Sequence, residues 1–178
     1  MSTRRLFFGI GLPQTIQQEI IAWRAAAFDA AAGRPLAAAN LHLTLAFLGE
    51  VSDEKTTAIS RLAGRIRQPP FTLHIDDAGH WPRPGVVWLG LRQAPRGLVQ
   101  LAEMLRSQAA RSGCYQSPHP FHPHISLLRN ATRPVAMPPR DFHWQFDVTH
   151  FSLLQSTFAQ GRSSYKVIES WPLIARQE

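Results

Sequence analysis

The chain has 178 residues, 44% of them hydrophobic and 17% charged, with one cysteine, Cys114. That is the composition of an ordinary soluble globular protein, long enough to bury a real core. A lone cysteine excludes an internal disulfide and a thiolate metal cluster, and so permits a reducing compartment.

The formal charge of +7 favours polyanionic partners such as RNA or DNA. Only Lys55 and Lys166 are lysines, so a generally arginine-rich host explains the charge equally well, and a site is needed to decide.

Taken in chain order, RLFFGIG at 5–11 reads as a buried strand, interrupted at Pro13. The run is too short for a transmembrane helix and lacks a signal-peptide cleavage site, so a cytoplasmic protein with no membrane association is expected. Pro13 suits the start of a helix with Ile16, Ile20, Trp23 and Ala27 on one face, and Gly33 and Pro35 end that segment. Residues 41–48 read as a strand. A second helix is predicted from Asp53 to Arg67, N-capped by Ser52, with Ile59, Leu62 and Ile66 inward.

FTLHI at 71–75 and VVWLGLR at 86–92 read as the two strands of a hairpin, joined through the turn-rich GHWPRPG. A third helix, about 97–112, carries Leu98, Leu101, Leu105 and Ala109 on one stripe and ends near Gly113. A strand at 124–128, a proline-broken loop at 134–139 and strands near 142–154 and 164–169 complete the chain. This order predicts an α+β fold with mainly antiparallel sheet. No apolar helix face stands out as unpartnered, which favours a monomer.

Two stretches share a pattern: HLTL at 42–45 and HISL at 124–127, 82 residues apart. In a strand, residues i and i+2 share a face. His42 and Thr44 therefore point one way while Leu43 and Leu45 point the other, and His124 and Ser126 stand opposite Ile125 and Leu127. Each tetrapeptide anchors itself with two aliphatics and presents an imidazole beside a hydroxyl. Their placement suggests two similar lobes, related by a pseudo-twofold, with outer helices and a central cleft in one bilobal domain over 1–178.

Such a quartet suits phosphoryl chemistry without a metal. Imidazole titrates near neutral pH, so one ring can act as base and the other as acid. In-line displacement puts the attacking and leaving oxygens on opposite sides of phosphorus, where one histidine from each half would stand. The two hydroxyls can hold non-bridging oxygens, and a nearby arginine can offset developing charge.

HPFHPH at 119–124 could be read as a metal cluster. It lacks a cysteine pair or HExxH partner, and Pro120 and Pro123 instead suggest a stiff loop delivering His124, so no metal is assigned. Phe121 could stack on a nucleobase or pack in the core. Trp81, with Arg83, could line the cleft mouth or pack a loop; His74, His80, His143 and His150 read as structural or surface residues.

The segments RLFFGIGLP, HLTLAFLGEV, PFHPHISLLR and SYKVIESWPL together resemble, in order and over nearly the whole chain, the bacterial RNA 2′,3′-cyclic phosphodiesterases. These are also called the 2′–5′ RNA ligase family, within the two-histidine phosphoesterase superfamily. The resemblance implies a bilobal fold needing no metal or cofactor. It implies hydrolysis of a 2′,3′-cyclic phosphate to a 2′-phosphomonoester, and 2′–5′ ligation in reverse. His42 would be proton donor to the 3′-oxygen and His124 the acceptor that activates water.

Thr44 and Ser126 would hold phosphate oxygens, Ser126 standing where threonine is commoner. Arg129 would contact the phosphate, a role that strict alternation forbids unless a bulge or strand end intervenes. The implied partner is RNA with a cyclic phosphate end, such as tRNA fragments, or a small cyclic nucleotide. Two alternatives stay open: a phosphodiesterase of another small cyclic phosphate, and a basic RNA-binding module with structural histidines.

Overall fold

The computed structural model describes residues 2–175. The chain runs β1 (Thr3–Gly11), α1 (Gln14–Ala27), β2 (Arg34–Pro35), β3 (His42–Ser52), α2 (Asp53–Gly64), β4 (Phe71–Ile75), β5 (Asp77–Trp81) and β6 (Val86–Gly90). It continues through α3 (Arg96–Arg111), β7 (His124–Arg129), β8 (Trp144–Val148), β9 (His150–Ala159) and β10 (Arg162–Pro172). Eight strands form one sheet in the order β10-β9-β1-β3-β7-β6-β5, with β2 also on β7, and every pairing is antiparallel. β4 and β8 make a separate two-stranded sheet.

The helices form where their caps and apolar stripes place them. Pro13 occupies the N-cap of α1, and Ile16 and Ile20 are buried on its inner face. Ser52 caps α2, its Oγ accepting from the Lys55 amide at 3.3 Å, with Asp53 and Glu54 in the first turn where the helix dipole favours them. α3 buries Leu98, Leu101, Leu105 and Ala109, packs on β3, and is followed by Gly113 at φ 75°. Its apolar stripe joins Leu43, Leu45, Ile125 and Leu127 in one hydrophobic core, each of these four no more than 1% exposed.

The expected lobes are realised as two halves of one sheet that meet edge to edge. β3 and β7, the two histidine strands, are neighbours paired through Leu43 and Ile125. One expectation is corrected. Residues 71–75 do not form a hairpin with 86–92; β4 pairs with β8, and the hairpin partner of β6 is β5, through Asp77↔Gly90 to Trp81↔Val86. Of the stretch GHWPRPG expected as the connection, only 82–85 is turn, closed by the Gly85 amide donating to the Trp81 carbonyl at 2.9 Å; Gly79–Trp81 belongs to β5, and pairing breaks at Asp76, whose carboxylate accepts from the Arg92 amide at 2.8 Å.

Candidate active site

The pairing of Leu43 with Ile125 in an antiparallel ladder sets His42 opposite Ser126 and Thr44 opposite His124, all four on the face away from the core. The two imidazoles are then diagonal neighbours, with backbone positions about 7–8 Å apart. That spacing lets two side chains converge on one small group from opposite sides. On the flanking strands Gly11 pairs with His42, Gly9 with Thr44 and Gly90 with His124. The missing side chain at Gly11 leaves room at His42, whose Nε2 would lie 3.5 Å from an added Cβ, whereas the space over Gly90 is filled by the Trp88 ring, 2.7 Å from an added Cβ there.

Both strands bulge at corresponding points. On β3, Phe8 faces Ala46 while Gly9 faces Thr44, so Leu45 is the extra residue. On β7, Val87 faces Leu128 while Trp88 faces Ser126, so Leu127 is extra. Each bulge lies three residues after the histidine and reverses the alternation. The fifth residue after each histidine, Phe47 and Arg129, therefore returns to the polar face, and both line the cleft. This is the irregularity that a phosphate role for Arg129 requires. The bulge at Leu127 is held by its carbonyl, which accepts from the Leu36 amide at 3.0 Å and from Arg24 Nη1 at 3.2 Å.

The backbone two residues upstream acts on each histidine. His124 Nδ1 lies 2.7 Å from the carbonyl of His122, two residues upstream, so Nδ1–H donates and Nε2 is left as the free acceptor. Burial pushes the His124 pKa below the ordinary histidine value, the His122 carbonyl opposes that shift, and the His122 ring adds to it. Burial also lowers the His42 pKa, opposed by the backbone at Asn40, again two residues upstream. His42 Nδ1 is nonetheless buried without a partner in hydrogen-bond geometry; the Asn40 carbonyl acts on that ring as a nearby dipole rather than through a well-formed bond.

The two rings sit in different surroundings. Against His42 lie the edges of Tyr165, at 5.7 Å between ring centroids, and Phe7, at 6.5 Å. Tyr165 Oη accepts from Arg129 Nη2 at 2.7 Å, and Ser163 Oγ lies 3.4 Å from Arg129 Nη1, tying β7 to β10 across this end of the cleft. Against His124 stands Trp81, at 4.8 Å, with Trp88 and His122 packed behind it. A cleft of about 410 Å³ opens between Arg5, Phe7, Thr44, Phe47, Arg129 and the β9–β10 hairpin, and it adjoins His42 through Phe7 and Tyr165, whose rings lie against that imidazole. That volume lies within the usual range for a small-molecule site, roughly 300–1,000 Å³.

The structure thus brings together His42, Thr44, His124, Ser126 and Arg129. Phe121 is half-buried and packs against the hydrophobic core instead of lining this cleft. Trp81, for which loop packing was an option, is in β5 beside His124. Arg5 and Tyr165 are additions that the sequence reading missed. Arg5, Phe7, Gly9 and Gly11 alternate on one face of β1, a signal present in the sequence, whereas Tyr165 arrives only through the folding of β10 onto β9. His74 and His143 stack on each other, with Nδ1 and Nε2 2.9 Å apart, and His80 Nε2 lies 2.6 Å from the Ala131 carbonyl. Among the described residues no cluster of three or more His, Cys, Asp or Glu is placed to hold a metal ion, and no helix is long and apolar enough to cross a membrane.

Comparison with known proteins accords with this geometry. The family model described as the 2′-5′ RNA ligase superfamily matches residues 12–157. A curated Escherichia coli protein named RNA 2′,3′-cyclic phosphodiesterase is 64% identical over 170 residues, covering 96% of this chain and 97% of its own. The crystal structure of E. coli LigT complexed with 3′-AMP superposes with a TM-score of 0.94 at 63% identity, covering 97% of this chain and 99% of that one. A Thermus thermophilus crystal structure gives 0.84 at 27% identity, covering 97% and 100%. With sequence and overall structure in agreement, the chain belongs to the 2′-5′ RNA ligase superfamily.

Proposed function

We propose that this protein is an RNA 2′,3′-cyclic phosphodiesterase, opening a terminal cyclic phosphate to a 2′-phosphomonoester by paired histidine acid–base catalysis. The observation that carries the reading is the Leu43–Ile125 register, which puts two imidazoles and two hydroxyls on one face. The activity is the one named for the E. coli relative.

His124 is the base. Its Nδ1–H is committed to the His122 carbonyl, and burial disfavours the charged ring, so Nε2 takes a proton as a water oxygen attacks phosphorus. His42 is the acid: as the P–O3′ bond breaks, its Nε2 proton passes to the departing 3′-oxygen. Burial alone disfavours protonated His42, but a phosphodiester anion in the cleft reverses this. Opposite unit charges 4 Å apart attract by about 4 kcal/mol at an effective dielectric near 20. Thr44, Ser126 and Arg129 hold the non-bridging oxygens and offset charge that develops in the transition state.

The direction of proton flow follows from the substrate's shape. Both ester oxygens of a 2′,3′-cyclic phosphate belong to the same ribose, so the nucleoside must lie on the leaving-group side and water on the other. The 410 Å³ cleft adjoins His42 through Phe7 and Tyr165, while the His124 side is walled by Trp81, Trp88 and His122. This supports His42 as donor. With a 5′-hydroxyl in place of water as the nucleophile, the same opening of the P–O3′ bond yields a 2′–5′ bond.

The test is incubation with adenosine 2′,3′-cyclic phosphate in EDTA. The expected product is adenosine 2′-phosphate alone. His42→Ala and His124→Ala should each lower kcat by at least about 10²–10⁴-fold while circular dichroism stays unchanged, since neither ring anchors the core. A 3′-phosphate product, or either variant retaining turnover, would reject the assignment.

A further inference from the structure

The cleft reaches outward along the β9–β10 hairpin, from Tyr165 to Phe158. Phe158 lines that outer part and is 74% exposed, the most exposed of the large hydrophobic side chains described. Arg34 and Arg129 stand directly opposite each other in the β2–β7 ladder, an arrangement of like charges that destabilises an antiparallel pair. The Arg34 guanidinium lies against the hairpin turn, 4.0 Å from where a Cβ on Gly161 would be. At the other wall the Arg5 guanidinium sits over the Phe47 ring, 4.9 Å from its centroid.

Among the described residues the ion pairs are Arg4 with Asp53 and Arg140 with Asp77, and none involves Arg5, Arg34 or Arg129. Glu50, opposite Arg5 in the ladder, accepts from Thr3 Oγ1 instead. Folding thus leaves three guanidinium groups outside any ion pair among the described residues, around an exposed aromatic ring. Single-stranded nucleic acid is held by that combination, cations along the backbone and rings under the bases.

We infer that this outer region is a second nucleotide subsite, in which Phe158 stacks on the penultimate base of an RNA and Arg34 and Arg5 flank the phosphate joining it to the terminal nucleotide. The inference rests on the phosphodiesterase reading above. RNA with a cyclic end continues from the 5′-oxygen of its terminal nucleoside, and that nucleoside lies on the His42 side, where Phe158 also stands. The preferred substrate is then an oligonucleotide end rather than a free cyclic mononucleotide.

The experiment compares kcat/KM for adenosine 2′,3′-cyclic phosphate and for the dinucleotide ApA ending in a 2′,3′-cyclic phosphate. The wild type should favour the dinucleotide by about tenfold or more. In Phe158→Ala that preference ratio should collapse toward one, and in Phe158→Trp it should persist. In Arg34→Gln the salt dependence of dinucleotide kcat/KM, on log–log axes, should flatten by about 0.7. Equal use of both substrates by the wild type would overturn the subsite. So would parallel losses on both in Phe158→Ala, or an unchanged salt slope in Arg34→Gln. Failure of the wild type to open either substrate would instead remove the phosphodiesterase reading itself.

Discussion

Gly79→Ala is a small change that the structure predicts to be felt at His124. Gly79 pairs with Trp88 across β5 and β6, and the indole lies over it. A Cβ at this position would stand 2.2 Å from Cζ2, 2.6 Å from Cε2 and 2.8 Å from Cη2 of Trp88. Carbon atoms settle at about 3.5–4.0 Å, so the ring must retreat by more than about 1 Å. The ring also lies over Gly90, where an added Cβ would be 2.7 Å from Cζ3, so it already spans the room that both glycines leave.

Overpacking of this kind costs about 1–3 kcal/mol. For a chain of this size that lowers Tm by roughly 2–12 °C. The displaced indole also presses on Trp81 and His122, whose rings pack around His124. A shift of about 1 Å in a reacting group costs on the order of 10²-fold in rate. Thermal melting and kcat/KM on a cyclic mononucleotide read the two effects. Trp88→Phe, which removes the colliding part of the ring, should restore at least half of both losses when combined with Gly79→Ala. An unchanged melting temperature in Gly79→Ala, or strictly additive losses in the double variant, would refute the packing described for this wall.

Three further outcomes are expected. The folded-state pKa values of His42 and His124 are lowered by burial, so between those values and the unfolded value of about 6.5 the unfolded chain binds more protons. Stability therefore rises with pH across that window and is lost as pH falls through it; melting from pH 7 to 5 should fall less steeply in a His42→Asn/His124→Asn double variant, and an identical pH slope would contradict the burial of these rings. Arg129→Gln removes the charge that bonds Tyr165 at 2.7 Å and should lower kcat/KM by about tenfold or more, a charged-group hydrogen bond contributing roughly 1.5–3 kcal/mol, with little change in Tm because the side chain is exposed. Ser52→Ala removes the α2 cap and should cost about 0.5–2 kcal/mol in denaturant unfolding while kcat/KM stays within twofold, on the order of an uninvolved surface change.

Much of the site is legible in the sequence because strand alternation is local. HLTL and HISL each state which side chain goes inward and which outward, and Leu43, Leu45, Ile125 and Leu127 are buried as that alternation requires. The cap at Ser52 and the stripe on α3 are equally readable. The neighbouring placement of the two histidine strands is not, since sheet order is a property of the whole topology.

The role of Arg129 depends on one extra residue at Leu127, which is visible only when the partner strand is counted against it. The hairpin expected between 71–75 and 86–92 does not form because the Gly79 region, which reads as turn chemistry, is itself a strand; the missing side chain makes room for Trp88. Tyr165 and Phe158 lie far along the chain from either histidine, and only the return of β9 and β10 beside β1 brings them to the cleft.

The most direct measurement is a crystal structure of this protein with adenosine 2′-phosphate bound. The imidazole Nε2 atoms of His42 and His124 should lie within about 3.2 Å of different oxygens of a single phosphate, on opposite sides of the phosphorus, with the nucleoside toward Tyr165. A phosphate held by one imidazole alone, or bound where the two rings cannot both reach it, would contradict paired histidine catalysis.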